Sequence, residues 1–354
     1  MATKYRAIDL FAGIGGIRMG FEQAFRRDLR TVFVSEWDVY AQRTYADNFP
    51  VRGSIAGDIT RIDEKSIPEF DICLAGFPCQ AFSLAGRRRG FRDDYKGMAR
   101  GTLFFDVARI CAYHRPKVIF CENVKGLVGH DRGKTFRVIA GTLEEMGYRV
   151  FHRVLNSKDF GVPQNRERIY LAAFRQDAAP AEFSFPVPDR KTACLKDILE
   201  ENPVPPKYYL STTYLETLRR HKMRHEAKGN GFGYVIRPLD SVAGAIVCGG
   251  MGRERNLVID GRLEDFTPMT HIKGEINREG IRRLTPREWA RLQGFPDSYL
   301  LRLSDTRLYR QLGNSVTVPV IRAIAGQIKR TLETTPSGDD QDRKKEERKE
   351  GGGE

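Results

Sequence analysis

Paired cysteines are missing from this chain. Its six cysteines, at positions 73, 79, 111, 121, 194 and 248, stand apart with no CxxC spacing. That excludes the common zinc and disulfide frameworks and points to reduced thiols in a cytoplasm. Long apolar runs are missing too, since nothing approaches the roughly 20 residues that cross a bilayer. No basic amphipathic anchor stands out, so no membrane partner is expected. The start, Met1-Ala2-Thr3-Lys4-Tyr5-Arg6, runs straight into a strand-like Ala7-Ile8-Asp9-Leu10, and no signal peptide is expected.

What the chain does have is positive charge. Its 59 Lys and Arg against 46 Asp and Glu leave +13 over 354 residues, which favours a polyanionic partner and nucleic acid first. With 40% hydrophobic and 30% charged residues the composition is that of a soluble globular protein of one large domain or two. The end, Pro336 to Glu354, is too polar and charged to bury a core and is expected to be disordered.

The chain is organised around Asp71-Ile72-Cys73-Leu74-Ala75-Gly76-Phe77-Pro78-Cys79-Gln80-Ala81-Phe82-Ser83. An apolar run breaks at Gly76 and Pro78, so Cys79 is expected where a strand gives way to a loop. In open α/β sheets ligands bind at that carboxyl edge, and a thiol there suits a nucleophile. A buried cysteine filling a gap is the competing reading. The loop continues through Arg87, Arg88, Arg89 and Arg92 to Gly101, basic and glycine-hinged, as a phosphate-clamping lid would be.

Upstream, a strand over Tyr5–Phe11 leads into Ala12-Gly13-Ile14-Gly15-Gly16-Ile17-Arg18 and a helix to about Phe25. The glycines allow close approach of a ligand to the backbone. Arg18 stands where a dinucleotide fingerprint has its third glycine. A second strand, Thr31 to Asp38, ends in Glu36 and Trp37, an acid for ribose hydroxyls beside a flat face for a purine. Asp58 is either an acceptor for an adenine amino group or a helix cap, with Ile59 beside it.

Downstream, Leu103 to Tyr113 reads as a helix and Lys117 to Cys121 as a buried strand ending at Glu122. Val150–Asn156 and Arg168–Phe174 read as an antiparallel pair. Between them Arg166 and Arg168 alternate in strand spacing, which would aim both guanidiniums one way. From about Ala178 prolines mark a linker. Basic residues and aromatics on glycine-rich loops follow, including Arg219 to His225, Gly231-Phe232-Gly233 and Arg253-Glu254-Arg255. Groove-reading surfaces contain such residues, and Arg253 and Arg255 suit guanine edges. Thr285 to Phe295 is a short capped helix, and an apolar helix runs from about Pro319 to Leu332.

The ordered set Asp9-Leu10-Phe11-Ala12-Gly13-Ile14-Gly15-Gly16, Gly76-Phe77-Pro78-Cys79-Gln80, Glu122-Asn123-Val124, Gln164-Asn165-Arg166-Glu167-Arg168 and Gln311-Leu312-Gly313-Asn314-Ser315-Val316 resembles the bacterial DNA (cytosine-5) methyltransferases from about Tyr5 to Leu332. The resemblance implies an α/β protein with a Rossmann-like S-adenosylmethionine-dependent methyltransferase domain and a smaller target-recognition domain, with DNA in the cleft between. The implied parts are a catalytic and cofactor-binding domain over 1–185 and a target-recognition domain over 186–305. A helix over 306–333 would return to the catalytic domain, before a disordered charged tail over 334–354.

By motif, the catalytic residues would be Cys79, Glu122, Arg166 and Arg168. The donor, S-adenosyl-L-methionine, would be held by Phe11, Gly13, Gly15, Gly16, Glu36, Trp37, Asp58, Ile59, Pro78, Leu103 and Asn314, and would leave as S-adenosyl-L-homocysteine. Ser83, Arg87, Arg88, Arg89, Arg253 and Arg255 would contact double-stranded DNA. No metal is expected. The resemblance also implies a monomer that methylates one word of a restriction-modification system, whose endonuclease acts on the same site without direct contact.

Two features depart from the shortest family members. The lid carries an extra Asp94-Tyr95-Lys96-Gly97-Met98-Ala99, and Ala245-Ile246 stands where many have Thr-Leu or Thr-Val. A related branch methylates cytosine in tRNA; the long basic, glycine-rich segment over 205–275 favours duplex DNA. A non-catalytic DNA-binding relative is disfavoured by the intact Cys79, Glu122, Arg166 and Arg168.

Overall fold

Short apolar runs alternate with amphipathic stretches through the first half of the chain, and they fold as strands with helices between them. In the computed structural model, residues 3–51, 53–78, 103–180, 182–188, 193–249, 252–267 and 274–334 are described. The first elements are β1 (Tyr5–Leu10), α1 (Gly16–Phe25), β2 (Leu29–Ser35), α2 (Val39–Asn48), β3 (Ile72–Ala75), α3 (Leu103–His114) and β4 (Val118–Val124). They are followed by α4 (Lys134–Glu145), β5 (Tyr148–Asn156), β6 (Gln164–Asn165) and β7 (Glu167–Arg175).

Six of these strands form one sheet in the order β2-β1-β3-β4-β7-β5. The first four are mutually parallel, and β7 lies antiparallel to β4. The central strands are apolar because both their faces are covered; all four residues of β3 and the first six of β4 are buried. This is a Rossmann-like α/β arrangement. The chain leaves β1 towards β2 and returns on its other side as β3, so the topological switch point lies beside β1.

Two compact units divide the chain. The first comprises residues 1–155, 167–187 and 320–354, and the second residues 156–166 and 188–319. This differs from the sequence expectation in two places: 156–166 clusters with the second unit, and the chain rejoins the first at Val320. Pairing accounts for the former, since β6 lies parallel to β8 (Ala243–Gly244). In the first unit Gly20 of α1 lies so close to the last helix, α8 (Val318–Thr334), that a Cβ there would be 2.6 Å from Ile321 Cβ.

The second unit has little sheet. It holds α5 (Thr212–Glu226), the strand pair β9 (Leu257–Ile259) and β10 (Ile281–Arg283), then α6 (Pro286–Leu292) and α7 (Asp305–Asn314). Arg219 to His225 therefore lies on a helix and not on a loop; Ser211 caps it by accepting from the Tyr214 amide. The short helix expected over Thr285–Phe295 is α6, with Thr285 and Glu288 closing a reciprocal capping box. At its end Gly294 has φ 73°, and a Cβ there would meet Pro319 Cδ at 2.3 Å. No helix among the described residues is long and apolar enough to cross a membrane.

Candidate active site

Strand register brings the first unit's polar residues to one rim. Leu10 pairs with Ser35 and with Ala75, and Ala75 pairs with Cys121. The next residue after each is Phe11, Glu36, Gly76 and Glu122. Four segments distant in sequence thus emerge side by side at the carboxyl edge, next to the switch point, where open α/β sheets bind ligands.

The turn after β1 is strained and tightly tied. Phe11 has φ 55°, a left-handed backbone that an aromatic residue adopts at a cost of roughly 1–2 kcal/mol. Gly15 has φ 80°, and any Cβ on it would lie 2.2 Å from Phe49 Cε2. The Gly13 amide donates to Glu36 Oε2 at 2.8 Å, and the Asp38 amide to Oε1 at 2.8 Å. Burial pushes the Glu36 carboxyl above its ordinary range, while these amides pull it back down. Beside this anchored acid, Trp37 is 65% exposed, an unusual position for so large an apolar ring.

Asp58 joins the same edge through the Ala56 backbone, whose carbonyl accepts from the Glu36 amide at 2.9 Å. Asp58 caps a 3-10 turn over Ile59–Arg61 by accepting from the Thr60 amide at 3.0 Å, so the capping role is the one observed. Its side chain stays exposed, while Ile59 is buried. Phe11, Ile59, Phe77 and Leu103 all belong to one apolar cluster, with Pro78 next in chain and half-buried.

Glu122 is nearly buried, and its Oε1 lies 3.3 Å from Arg168 Nε. Its Oε2 would be 4.0 Å from a Cβ at Gly76, so the segment leading to position 79 passes directly beside the carboxylate. Asn123 fixes that segment: its Nδ2 donates to the Phe77 carbonyl at 2.9 Å, and its Oδ1 accepts from the Val124 amide at 2.8 Å. Cys79, Ser83, Arg87, Arg88 and Arg89 lie outside the described residues.

Arg166 and Arg168 do not lie on one continuous strand. The strand breaks at Arg166, between β6 and β7, and the two arginines fall in different units. Arg168 pairs with Glu122. Arg166 is buried in the second unit and donates to the carbonyls of Ile246 at 2.7 Å, Ser315 at 2.6 Å and Gly313 at 3.2 Å. Its guanidinium thus clasps the backbone around Ala245-Ile246 and Asn314. Asn314 is exposed there, accepting from Cys248 Sγ at 2.6 Å. Arg253 is half-buried over the Tyr309 ring at 5.5 Å, and Arg255 is exposed over the Phe232 ring at 5.7 Å.

Sequence reasoning missed a buried relay behind the glycine turn. Arg18 Nη1 donates to Tyr45 Oη at 3.2 Å, and that hydroxyl donates to Asp9 Oδ2 at 3.0 Å. Arg18 also pairs with Glu22 at 2.6 Å, donates to the Pro50 carbonyl at 3.2 Å, and lies 4.7 Å from the Phe49 ring centre. It therefore holds Phe49, the ring that fills the space a Cβ on Gly15 would need. The available signal was an arginine at a position where a helix facing a sheet usually carries an apolar residue.

Residues 5–330 match the family of C-5 cytosine-specific DNA methylases. The chain is 57% identical over 333 residues to the Type II methyltransferase M.HpaII of Haemophilus parainfluenzae, covering 93% of this chain and 90% of that protein. It is 38% identical over 338 residues to the Type II methyltransferase M.HhaI of Haemophilus parahaemolyticus, covering 94% and 97%. Its fold resembles that of the S. pombe Dnmt2 methyltransferase with a TM-score of 0.70 at 21% identity, covering 93% of this chain and 98% of that one.

Proposed function

The chain belongs to the C-5 cytosine-specific DNA methylase family, and on that premise we propose how its residues carry out the transfer. The protein moves a methyl group to C5 of a cytosine in DNA. Inside a duplex no side chain reaches that carbon, so the base must leave the stack. Bound S-adenosylmethionine would supply the methyl as an electrophile on a sulfonium.

Phe11 and Trp37 are the two faces offered to the adenine, and Glu36 is the acceptor for the ribose hydroxyls. The Gly13 amide donates to one Glu36 oxygen and the Asp38 amide to the other, which holds the carboxylate in place for this. Asp58 and Ile59 edge the purine, and Gly13, Gly15, Gly16, Pro78 and Leu103 shape the hollow. The roles of Arg166 and Asn314 rest on the motif resemblance.

The Cys79 thiolate adds to C6 of the extruded cytosine, and the C5–C6 π pair moves onto C5. Glu122 in its protonated form donates to N3 and accepts from the exocyclic amine while charge shifts into the ring, and Arg168, aligned by Glu122, binds the O2 carbonyl. C5 takes the methyl group as the S–C bonding pair stays with sulfur, then gives its proton to a base from bulk solvent. The electron pair of that C–H bond restores C5=C6 as the thiolate departs. A free thiol titrates near pH 8.5, so nearby arginines must help ionise Cys79 at neutral pH. We read the enzyme as a monomer serving a cytoplasmic restriction-modification system, with an endonuclease that cuts the same word without touching it.

The observation that carries this reading is the shared register row, which lines up the turn after β1, the acid after β2, the segment before Cys79 and Glu122 on one rim. Transfer of a tritiated methyl to duplex DNA tests it. Cys79→Ala should abolish turnover, and Glu122→Gln should lower kcat by at least a hundredfold, in line with general acid–base and oxyanion-type contributions. Undiminished transfer by Cys79→Ala, or labelling of tRNA in preference to DNA, would overturn it.

A further inference from the structure

We propose that Arg237, acting with Arg255, reads guanine in the DNA word that the enzyme methylates. The inference rests on the reading of the second unit as the DNA-recognising one. A cleft of about 420 Å³ in that unit is lined by Gly231, Phe232, Gly233, Val235, Arg237 and Arg255. Its two guanidiniums come from segments 18 residues apart in sequence, and neither pairs with a carboxylate among the described residues.

Arg237 is built into the framework. Its amide donates to the Leu257 carbonyl at 2.7 Å, and the Leu257 amide returns to the Val235 carbonyl at 2.9 Å. Ile236 bridges Leu257 in parallel register. The Arg237 side chain runs along Gly244, where a Cβ would lie 3.0 Å from Nη2. Asn256 clamps that glycine too, accepting from its amide at 2.7 Å and donating to its carbonyl at 3.1 Å. Within this frame Arg237 Nε is buried with no hydrogen-bond partner.

Arg237 is half-buried and lines the cleft while its Nε is enclosed, and a guanidinium held in one orientation this way suits a planar acceptor. Guanine presents O6 and N7 side by side in the major groove, the pair that an arginine fork matches. Backbone phosphates position a protein on the duplex but carry no sequence information, whereas base edges are read by hydrogen bonds in the groove. Arg255 is the more exposed partner, lying over the Phe232 ring. Arg253, which shares its spacing with Arg255 in the sequence, is turned to the Tyr309 ring and does not line the cleft. The guanine-reading pair is therefore 237 and 255, in place of the 253 and 255 that the sequence suggests.

The test uses the full-length enzyme and a random duplex pool, with methylated words read by bisulfite sequencing. The wild-type word should contain a guanine at which Arg237→Ala relaxes preference about tenfold to a hundredfold while other positions keep theirs. Arg237→Lys should behave like the alanine variant, because it lacks the planar fork. Arg253→Ala should leave the word unchanged. Independently of any variant, 7-deazaguanine at that position removes the N7 acceptor and should lower wild-type kcat/KM by a similar factor. A loss by Arg237→Ala that is uniform over all positions, with a shallower salt dependence, would reassign Arg237 to phosphate and overturn the proposal. An unaltered word, or indifference to 7-deazaguanine, would overturn it too. Failure of the wild type to methylate any DNA would instead refute the enzymatic reading itself.

Discussion

In the first unit the rim residues sit at the edge of an apolar sheet with Asp9 and Arg18 buried behind it, whereas the second unit gathers its buried charge into one network around Arg282. Arg282 is completely enclosed, bound through both terminal nitrogens to Glu288 at 2.8 Å and through Nε to Asp260 at 2.8 Å. Asp260 also takes Arg262, and Arg283 pairs with the buried Glu254. The reason lies in the elements. A six-stranded sheet sets through register where each rim segment emerges. Strands as short as the three-residue β9 and β10 cannot, so directional ion pairs with one geometry take over that task.

The largest effect expected from this contrast is on stability. Arg282→Met leaves Glu288 buried without its counter-charge and Asp260 with Arg262 alone, which typically costs about 3–5 kcal/mol. Hydrogen exchange should show the loss confined to the second unit, with β1, β3 and β4 still protected. Protection lost equally in both units, or a loss under about 1 kcal/mol by urea unfolding, would show that the buried charges are not what holds the second unit.

The same contrast explains what could be read in the sequence. Strands β1, β3 and β4 announce themselves as apolar runs, and the turn chemistry of Gly13, Gly15, Gly76 and Pro78 marks where each ends. Placing Glu36, Glu122 and the segment before Cys79 on one edge then follows from parallel pairing. Alternation failed at Arg166 and Arg168, because it assumes an unbroken strand and nothing local marks the break. Helix α5 was hidden by its seven-residue basic run, since only two of its side chains, Leu215 and Leu218, are buried. The carbonyl partners of Arg166 lie 80 or more residues away, and Arg282 reaches back 22 residues to Asp260, contacts that leave no periodic trace.

A smaller effect is expected from the relay behind the glycine turn, which sharpens the claim that the first unit positions its rim by packing. Removing the guanidinium in Arg18→Ala frees Phe49 and leaves the Tyr45 hydroxyl short of a donor. A lost buried hydrogen bond of this type is worth about 1–3 kcal/mol. If the turn holds the methyl donor, KM for S-adenosylmethionine should rise about tenfold while kcat at saturating donor and the affinity for DNA stay within a factor of two. Equal falls in kcat and DNA affinity would mean general unfolding and not a misplaced turn.

The last effect is a pH dependence at the far end of that relay, confined to the range between about pH 4 and pH 7. Burial drives the Asp9 carboxyl from 3.8 up to about 7, opposed by the hydrogen bond from Tyr45 and by the Arg18 charge and assisted by Glu22 and Glu36. A folded-state pKa above the unfolded value means that the native protein holds the proton more tightly. The resulting stabilisation is complete below about pH 4 and disappears as pH climbs through about 7. Asp9→Asn keeps an acceptor for Tyr45 but cannot titrate, so its urea midpoint relative to wild type should improve between pH 5 and pH 8. The first unit would then be most sensitive to pH at a strand that contains no catalytic residue. Parallel pH profiles for the two proteins would show instead that Asp9 is already ionised at neutral pH, with the Arg18 charge compensating for its burial.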